Sequence, residues 1–196
     1  MTLSPAPNSI NALFPGNGEM AACCRKVDWS ATSLGSVDGW EPALRHALRT
    51  TMECPFAICL WCGPEKILIY NDAYTPLLGA KHPRALGRPG AEVWAEAWSD
   101  IGPVFEVMEQ GNPVYAEDGH FLMERSGGIA ADAWFTYSLS PVRAESGVVV
   151  AYLNVASETT ARVHAERDLR AARKRRNAPR AAFETSLRRR LAFSPY

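Results

Sequence analysis

Five strand-like runs, in two groups separated by a helical and Gly/Pro-rich stretch, constrain this chain more than any other feature. PFAICLWCG (55–63) and KILIYN (66–71) are apolar and aromatic, and the turn between them makes a hairpin. The second group is VYAEDGHFLMER (114–125), ADAWFTYSLSPVR (131–143) and VVVAYLNVAS (148–157). Turn signals at 126–128 and 144–147 join these three as antiparallel neighbours. A two-stranded hairpin alone is marginal in water. The two groups must therefore share one antiparallel sheet of five strands.

The separating stretch is either a loop cage built around something small or a linker of no consequence. It opens with YNDAYTPLLGAKHPRALGRP (70–89), where Asn71 or Asp72 can cap a short helix that Gly79 stops. Pro83, Gly87 and Pro89 then shape a path that regular helix cannot follow. GAEVWAEAWSDIGPVFEVMEQG (90–111) places apolar residues at 94, 98, 101, 105 and 108, one face of a long helix with a bend at Gly102-Pro103. Upstream, the spacing predicts a helix from about Trp40, with Leu44, Ala47, Leu48 and Thr51 inward and His46 toward solvent. Trp29 and Trp40 are expected to anchor their loop against a core. Helices packed on one face of an antiparallel sheet make an α+β layout.

Charge is unevenly spread. Residues 161–196 hold eleven Lys and Arg against three acids, net +8, and the remaining 160 residues hold ten against eighteen, net −8. Such a basic end is a solvated tail or meets an acidic partner or nucleic acid. Pro179 is expected to break its helix. Hydrophobic residues make up 47%, enough for a real core. No apolar run is long enough to span a membrane, and the N-terminus is not a secretory signal, so a cytoplasmic protein is expected. The five cysteines are odd in number, which argues against a disulfide framework. Cys59 and Cys62 form a C-x-x-C inside a strand, away from any helix N-terminus, and read as small buried side chains. The expected organisation is a flexible segment over 1–27, a flanking loop and helix over 28–54, a core over 55–157 and a basic exit helix and tail over 158–196.

The order of elements, with YNDAY…LLG and the closing VVVAYLNVASETTARV, resembles a PAS domain. In that family an Asn at the end of the second strand starts a short helix, as Asn71 does here, followed by an aromatic and Leu-Gly, here Tyr74 and Leu78-Gly79. The last strand usually ends in Asp-x-Thr before an exit helix; Glu158-Thr159-Thr160 stand in that place, a conservative departure. DWSATSLG…W, WCGPE…YNDAY…LGAKHPRALGRP…EVW…W…IGP and YSLSPVR…G are similar to PAS sensors found at the N-terminus of bacterial sensor histidine kinases. The likeness covers about residues 20–170. It implies short helices and one long helix roofing one face of the sheet around a pocket. It also implies that Glu158, Thr159 and Thr160 relay a signal into the exit helix.

The expected pocket wall is Tyr74, Trp94, Trp98 and Phe105 from the roof, with Phe121, Met123, Phe135 and Tyr137 at alternate positions of the sheet. Such a wall suits a small apolar or aromatic ligand. The same residues would equally make a filled core. Flavin-photoadduct members carry Gly-x-Asn-Cys-Arg-Phe in the roof; the nearest stretch here, 85–90, has no cysteine, which disfavours a covalent flavin. Haem-binding members use a histidine on the long roof helix. Residues 91–110 hold none, and His82 and His120 lie elsewhere, so haem is disfavoured too. The identity of any cofactor stays open. No catalytic constellation appears: Glu117 and Asp118, being adjacent on a strand, face opposite sides. No phosphoacceptor histidine box or ATP-binding glycine motif follows residue 170.

The reading is a non-catalytic sensory module of the two-component type. Its expected partners are a small ligand, a kinase or regulator, and a second copy meeting through 40–53 and the exit helix. The alternatives are a dimerisation module with a filled core, or a basic-tailed nucleic-acid-binding regulator. The latter is disfavoured because the tail holds no recognised DNA-binding module and little aromatic interleaving.

Overall fold

The computed structural model describes residues 10–109, 112–125 and 129–192. The chain divides after Glu158 into two compact units. The first holds a single five-stranded antiparallel sheet. Its strands are β1 (Ile58–Cys62), β2 (Ile67–Tyr70), β3 (Val114–Arg125), β4 (Ile129–Arg143) and β5 (Val149–Glu158), in the spatial order β2-β1-β5-β4-β3. The two strand groups do share one sheet, because β1 pairs with β5, Leu60 opposite Leu153. The turn signal at 126–128 lies outside the described residues, but the strands on either side pair up to Arg125 opposite Ile129.

Alternation sends the two faces of β1 and β2 into two different cores. Cys59, Trp61, Leu68 and Tyr70 enter a cluster with the roof, whereas Leu60, Cys62, Ile67 and Ile69 enter a second cluster on the opposite face. Cys59 and Cys62 are both fully buried, one in each core, and burial pushes both thiols well up from their ordinary range.

The second core is built from the N-terminal part of the chain. Helices α1 (Ile10–Leu13), α2 (Glu19–Cys24) and α3 (Pro42–Glu53) supply Leu13, Cys24, Leu44 and Leu48 to it. Phe14, Trp29 and Trp40 form an aromatic trio with ring centroids 5.3–6.4 Å apart. Both indoles are anchored as the sequence suggested: Trp29 Nε1 donates to the Cys24 carbonyl at 2.9 Å and Trp40 Nε1 to the Leu34 carbonyl at 3.0 Å. His46 is exposed as expected.

This corrects the flexible segment expected over 1–27, of which residues 1–9 lie outside the described part. Within 10–27 the chain forms the two short helices α1 and α2 joined by turns, and Leu13, Phe14 and Met20 are fully buried. Arg25 donates to the Phe14 carbonyl at 2.6 Å and Arg49 to the Ala12 carbonyl at 2.9 Å, so the backbone is held as well as the side chains. Polar and turn-forming residues surround a few apolar ones there, and those few do the anchoring.

The segment also clips to the roof. The Asp72 carboxylate accepts from the Met20 amide at 2.6 Å, and Gly18 lies so close that a Cβ there would sit 2.0 Å from Asp72 Oδ2. Gly18→Ala must displace that carboxylate and break the hydrogen bond. We expect it to lower stability by about 1–2 kcal/mol, the scale of a lost charge-assisted bond, read by urea denaturation. An unchanged midpoint would mean the clip holds nothing.

The roof lies between β2 and β3: α4 (Thr75–Leu78), α5 (Gly90–Val93) and α6 (Trp98–Glu109). The single helix expected over 90–111 is two helices, since Trp94 leaves helical geometry (φ −112°, ψ 35°). Two anchors explain the break. Gly90 packs against Trp61, where a Cβ would come within 2.6 Å of the ring, and its amide donates to the Lys66 carbonyl at 3.1 Å. Further on, α6 must bury Phe105 and Met108. The chain restarts at Ala97, whose carbonyl takes the Asp100 and Ile101 amides at 3.0 Å, and α6 runs on through Gly102 and Pro103.

The second unit is one helix, α7 (Thr160–Ala192). It continues through Pro179, where a break was expected. Interior proline forfeits one backbone hydrogen bond, and here Ala178, Ala181 and Ala182, the strongest helix formers, flank it. No helix among the described residues is long and apolar enough to cross a membrane.

Candidate functional site

The site begins at the end of β2. Asn71 is almost fully buried, and its side chain ties four segments together. Its Oδ1 accepts from the Ile58 amide at 3.1 Å and from the Tyr74 amide at 3.2 Å. Its Nδ2 donates to the carbonyls of Thr51, Cys54 and Phe56 at 3.0, 2.9 and 2.7 Å. Only a side chain with a donor end and an acceptor end does both. The knot caps the turn Asp72–Tyr74 and so swings the chain out of the sheet and over its face.

Under the roof lies a cavity of about 70 Å3. From the roof side it is lined by Tyr74, Leu77, Trp94, Ile101, Val104 and Phe105. The sheet contributes Trp61 of β1, Phe121 and Met123 of β3, Phe135, Tyr137 and Leu139 of β4, and Asn154 and Ala156 of β5. Seven of the eight residues expected from the sequence are in this wall. Trp98 is the exception. It stacks on Phe105, centroids 6.1 Å apart, and lines an open cleft beside Lys66 and Glu109. The break at 94–97 turns it out of phase with Trp94.

Sequence reading missed Trp61, Leu77, Ile101, Val104, Leu139, Asn154 and Ala156. The strand residues among them carried a usable signal, since Trp61 is in register with Tyr152 and Leu139 with Asn154. Asn154 matters most, being the one amide in the lining. Its Oδ1 accepts from the Tyr74 hydroxyl at 3.3 Å and its Nδ2 donates to the Ser138 carbonyl at 3.2 Å. Burial, reinforced by the Cys59 sulfur, pushes the Tyr74 hydroxyl far above its ordinary range, so it stays a neutral donor. Burial raises Tyr137 as well.

Two further polar atoms stand out. Trp61 Nε1 and Trp94 Nε1 are buried without a hydrogen-bond partner, and both rings line the cavity. A buried donor left unpaired costs about 1–3 kcal/mol. Two lysines lie against wall or neighbouring rings: Lys81 lies 5.4 Å over the Trp94 ring and pairs with Glu96 at 3.0 Å. Lys66 lies 5.2 Å over Tyr152 and 5.5 Å over Phe105.

The two histidines considered for iron are elsewhere. His82 Nδ1 faces the Tyr70 hydroxyl at 3.1 Å and Nε2 faces Glu19 at 3.2 Å. His120 Nε2 meets Asp132 at 2.6 Å. Neither lines the cavity, and among the described residues no group of three His, Cys, Asp or Glu could hold a metal.

The architecture can now be set beside the resemblance. A five-stranded antiparallel sheet, roofed on one face by the helices between β2 and β3 and left through a helix after β5, is the arrangement it implied; the strand order β2-β1-β5-β4-β3 is what the structure adds. The fold is that of a PAS domain. No family model matches the chain, and none of the curated proteins does. Solved structures similar to it include an RNA-binding light-oxygen-voltage receptor, at 24% identity and TM-score 0.49. That match covers 64% of this chain but 36% of the receptor, so the chain spans little more than a third of its length. A PAS domain from Colwellia psychrerythraea matches at 17% identity and TM-score 0.45, over 60% of this chain and 98% of that one. A variant of Vivid matches at 13% identity and TM-score 0.40, over 53% of this chain and 81% of that one.

Within this fold, the β4–β5 register places the cavity wall next to the way out. Tyr137 pairs with Ala156, both lining the cavity, and Phe135 pairs with Glu158, the last strand residue. Thr159 and Thr160 then lead into α7.

Proposed function

We propose that this PAS domain is a non-catalytic cytoplasmic sensor whose cavity takes a small neutral molecule with an apolar body and a hydrogen-bond acceptor, such as a short-chain carbonyl compound or ether. The observation that carries this reading is the pair of unpartnered indole N–H groups on rings of a largely apolar wall. A ligand acceptor would relieve their cost, and the Asn154 amide offers a third polar point for orientation. Size sets the class. The cavity is about half the roughly 150 Å3 known to accept benzene in an engineered apolar site, and well below the roughly 300–1,000 Å3 of ordinary ligand pockets. Occupancy would act on Tyr137 and Phe135, hence on Ala156 and Glu158, and pass through Thr159 and Thr160 to the exit helix. Two-component signalling, with a kinase or regulator as reader and a second copy as dimer partner, is the output this reading assigns.

The test is a thermal-shift and native mass spectrometry series with small ketones, lactones and ethers. A ligand at a hundred times its Kd stabilises by about 2.7 kcal/mol. A binder from this class is expected to raise Tm, and Ala156→Leu, which fills the cavity, to abolish the rise. Hydrogen exchange over 156–162 should slow with ligand. If nothing in the series raises Tm and Ala156→Leu is itself stabilising, the wall is a filled core and the domain acts through its protein contacts alone.

A further inference from the structure

The continuity of α7 changes what its charges can do. A helix broken at Pro179 would present two short basic pieces. As one helix of 33 residues it is a rod of about 50 Å, at 1.5 Å per residue. It carries all eleven Lys and Arg of residues 161–196, against three acids. Of its described bases, Arg162 is paired with Glu166 at 2.8 Å. Arg173, Lys174, Arg175 and Arg176 are exposed with no ion-pair partner among the described residues. Four consecutive residues on a helix step round by about 100° each and so encircle it. Arg188, Arg189 and Arg190 add a second basic run farther along the sequence.

Three classes of partner could answer such charge, and the pattern separates them. A membrane-surface helix needs one broad apolar face. Beyond alanine, α7 has only Val163, Leu169, Phe183, Leu187 and Leu191. A second copy would have to pair along the heptad seam that starts at Leu169, and that seam carries Arg173, Arg176 and Arg180, whose like charges would meet in register. A duplex groove is different. It admits a helix and flanks it with a phosphate row on each side. A helix basic all round matches that geometry, whereas an acidic protein face meets one side only. We propose that α7 binds double-stranded nucleic acid in a groove, through its phosphates.

Fluorescence anisotropy of the full chain with labelled duplex DNA and duplex RNA of about 24 base pairs tests this. Micromolar or tighter binding is expected at about 50 mM salt, with a log–log salt slope near −5 if about six phosphates are neutralised. Changing Arg173, Lys174, Arg175 and Arg176 together to alanine preserves helix propensity. It should weaken binding at least tenfold and flatten the slope by about 3. The duplex that binds more tightly identifies the groove. No binding at low salt overturns the proposal. So does equal affinity for a single strand, tighter binding to vesicles of anionic lipid, or a quadruple variant with unchanged affinity and slope. Ligand titration of the cavity is a separate measurement, so either result leaves the other standing.

Discussion

Replacing Asn71 by alanine lowers the stability of the folded body by roughly 3–5 kcal/mol, the range of a broken buried network. The size follows from the count of bonds. Five hydrogen bonds go at once, and the Ile58 amide and the Thr51, Cys54 and Phe56 carbonyls lose the side chain that answers them. Asn71→Asp is the sharper variant. It keeps the shape and the acceptor side, but points a carboxylate at three carbonyl oxygens. Those oxygens disfavour the charged form, so the folded-state pKa of the new carboxyl is raised above its unfolded value. A group raised in this way is least harmful when protonated, so the deficit of Asn71→Asp should grow as pH rises through that range and shrink as pH falls. Urea denaturation of both variants at pH 7 and pH 5 reads this. A loss under about 0.5 kcal/mol for Asn71→Ala, or no pH dependence for Asn71→Asp, would show that the knot is replaceable.

Phe14→Ala is expected to cost about 3–5 kcal/mol, the range for truncating a fully buried phenylalanine. Phe14 touches both Trp29 and Trp40, and these three rings join the N-terminal segment to α3 and the sheet. Tryptophan fluorescence should redshift as water reaches the gap. Because Phe14 is in the second core, the variant should keep whatever ligand affinity the cavity has. A variant as stable as the parent would mean that residues 10–27 rest on the body without supporting it.

Most of the architecture was legible because its signals were local and repeated. Apolar and aromatic runs around Trp61, Phe135 and Tyr152, separated by turn signals, marked the strands, and the marginality of a lone hairpin forced them into one sheet. The cavity wall was legible for the same reason, from Phe121, Met123, Phe135 and Tyr137. The omissions have physical causes. Asn154 and Ala156 do not look like wall residues in a search for aromatics, although they alternate with partly covered ones. Trp98 follows the helical period from Trp94, but the period is interrupted where Gly90 locks onto Trp61, a contact between distant segments. Leu13 and Phe14 were hidden in a stretch of prolines, asparagines and glycines, whose average says nothing of two side chains at full burial. Pro179 weakens a helix by about 3 kcal/mol, and the alanines around it, the strongest helix formers, offset part of that.

The strand order also bears on how the chain is made. The strand in the middle of the sheet, β5, is the last to leave the ribosome, and it bridges β1 and β4. Until residue 158 has emerged, the nascent chain holds two unjoined halves: the β1–β2 hairpin with its N-terminal cap, and the long β3–β4 hairpin. In each half the edge that β5 will cover, on Ile58–Cys62 and on Phe135–Arg143, is still open, and such edges are where chains stick to one another. The final strand covers both edges at once. Synthesis stopped just short of it would leave both of these edges open.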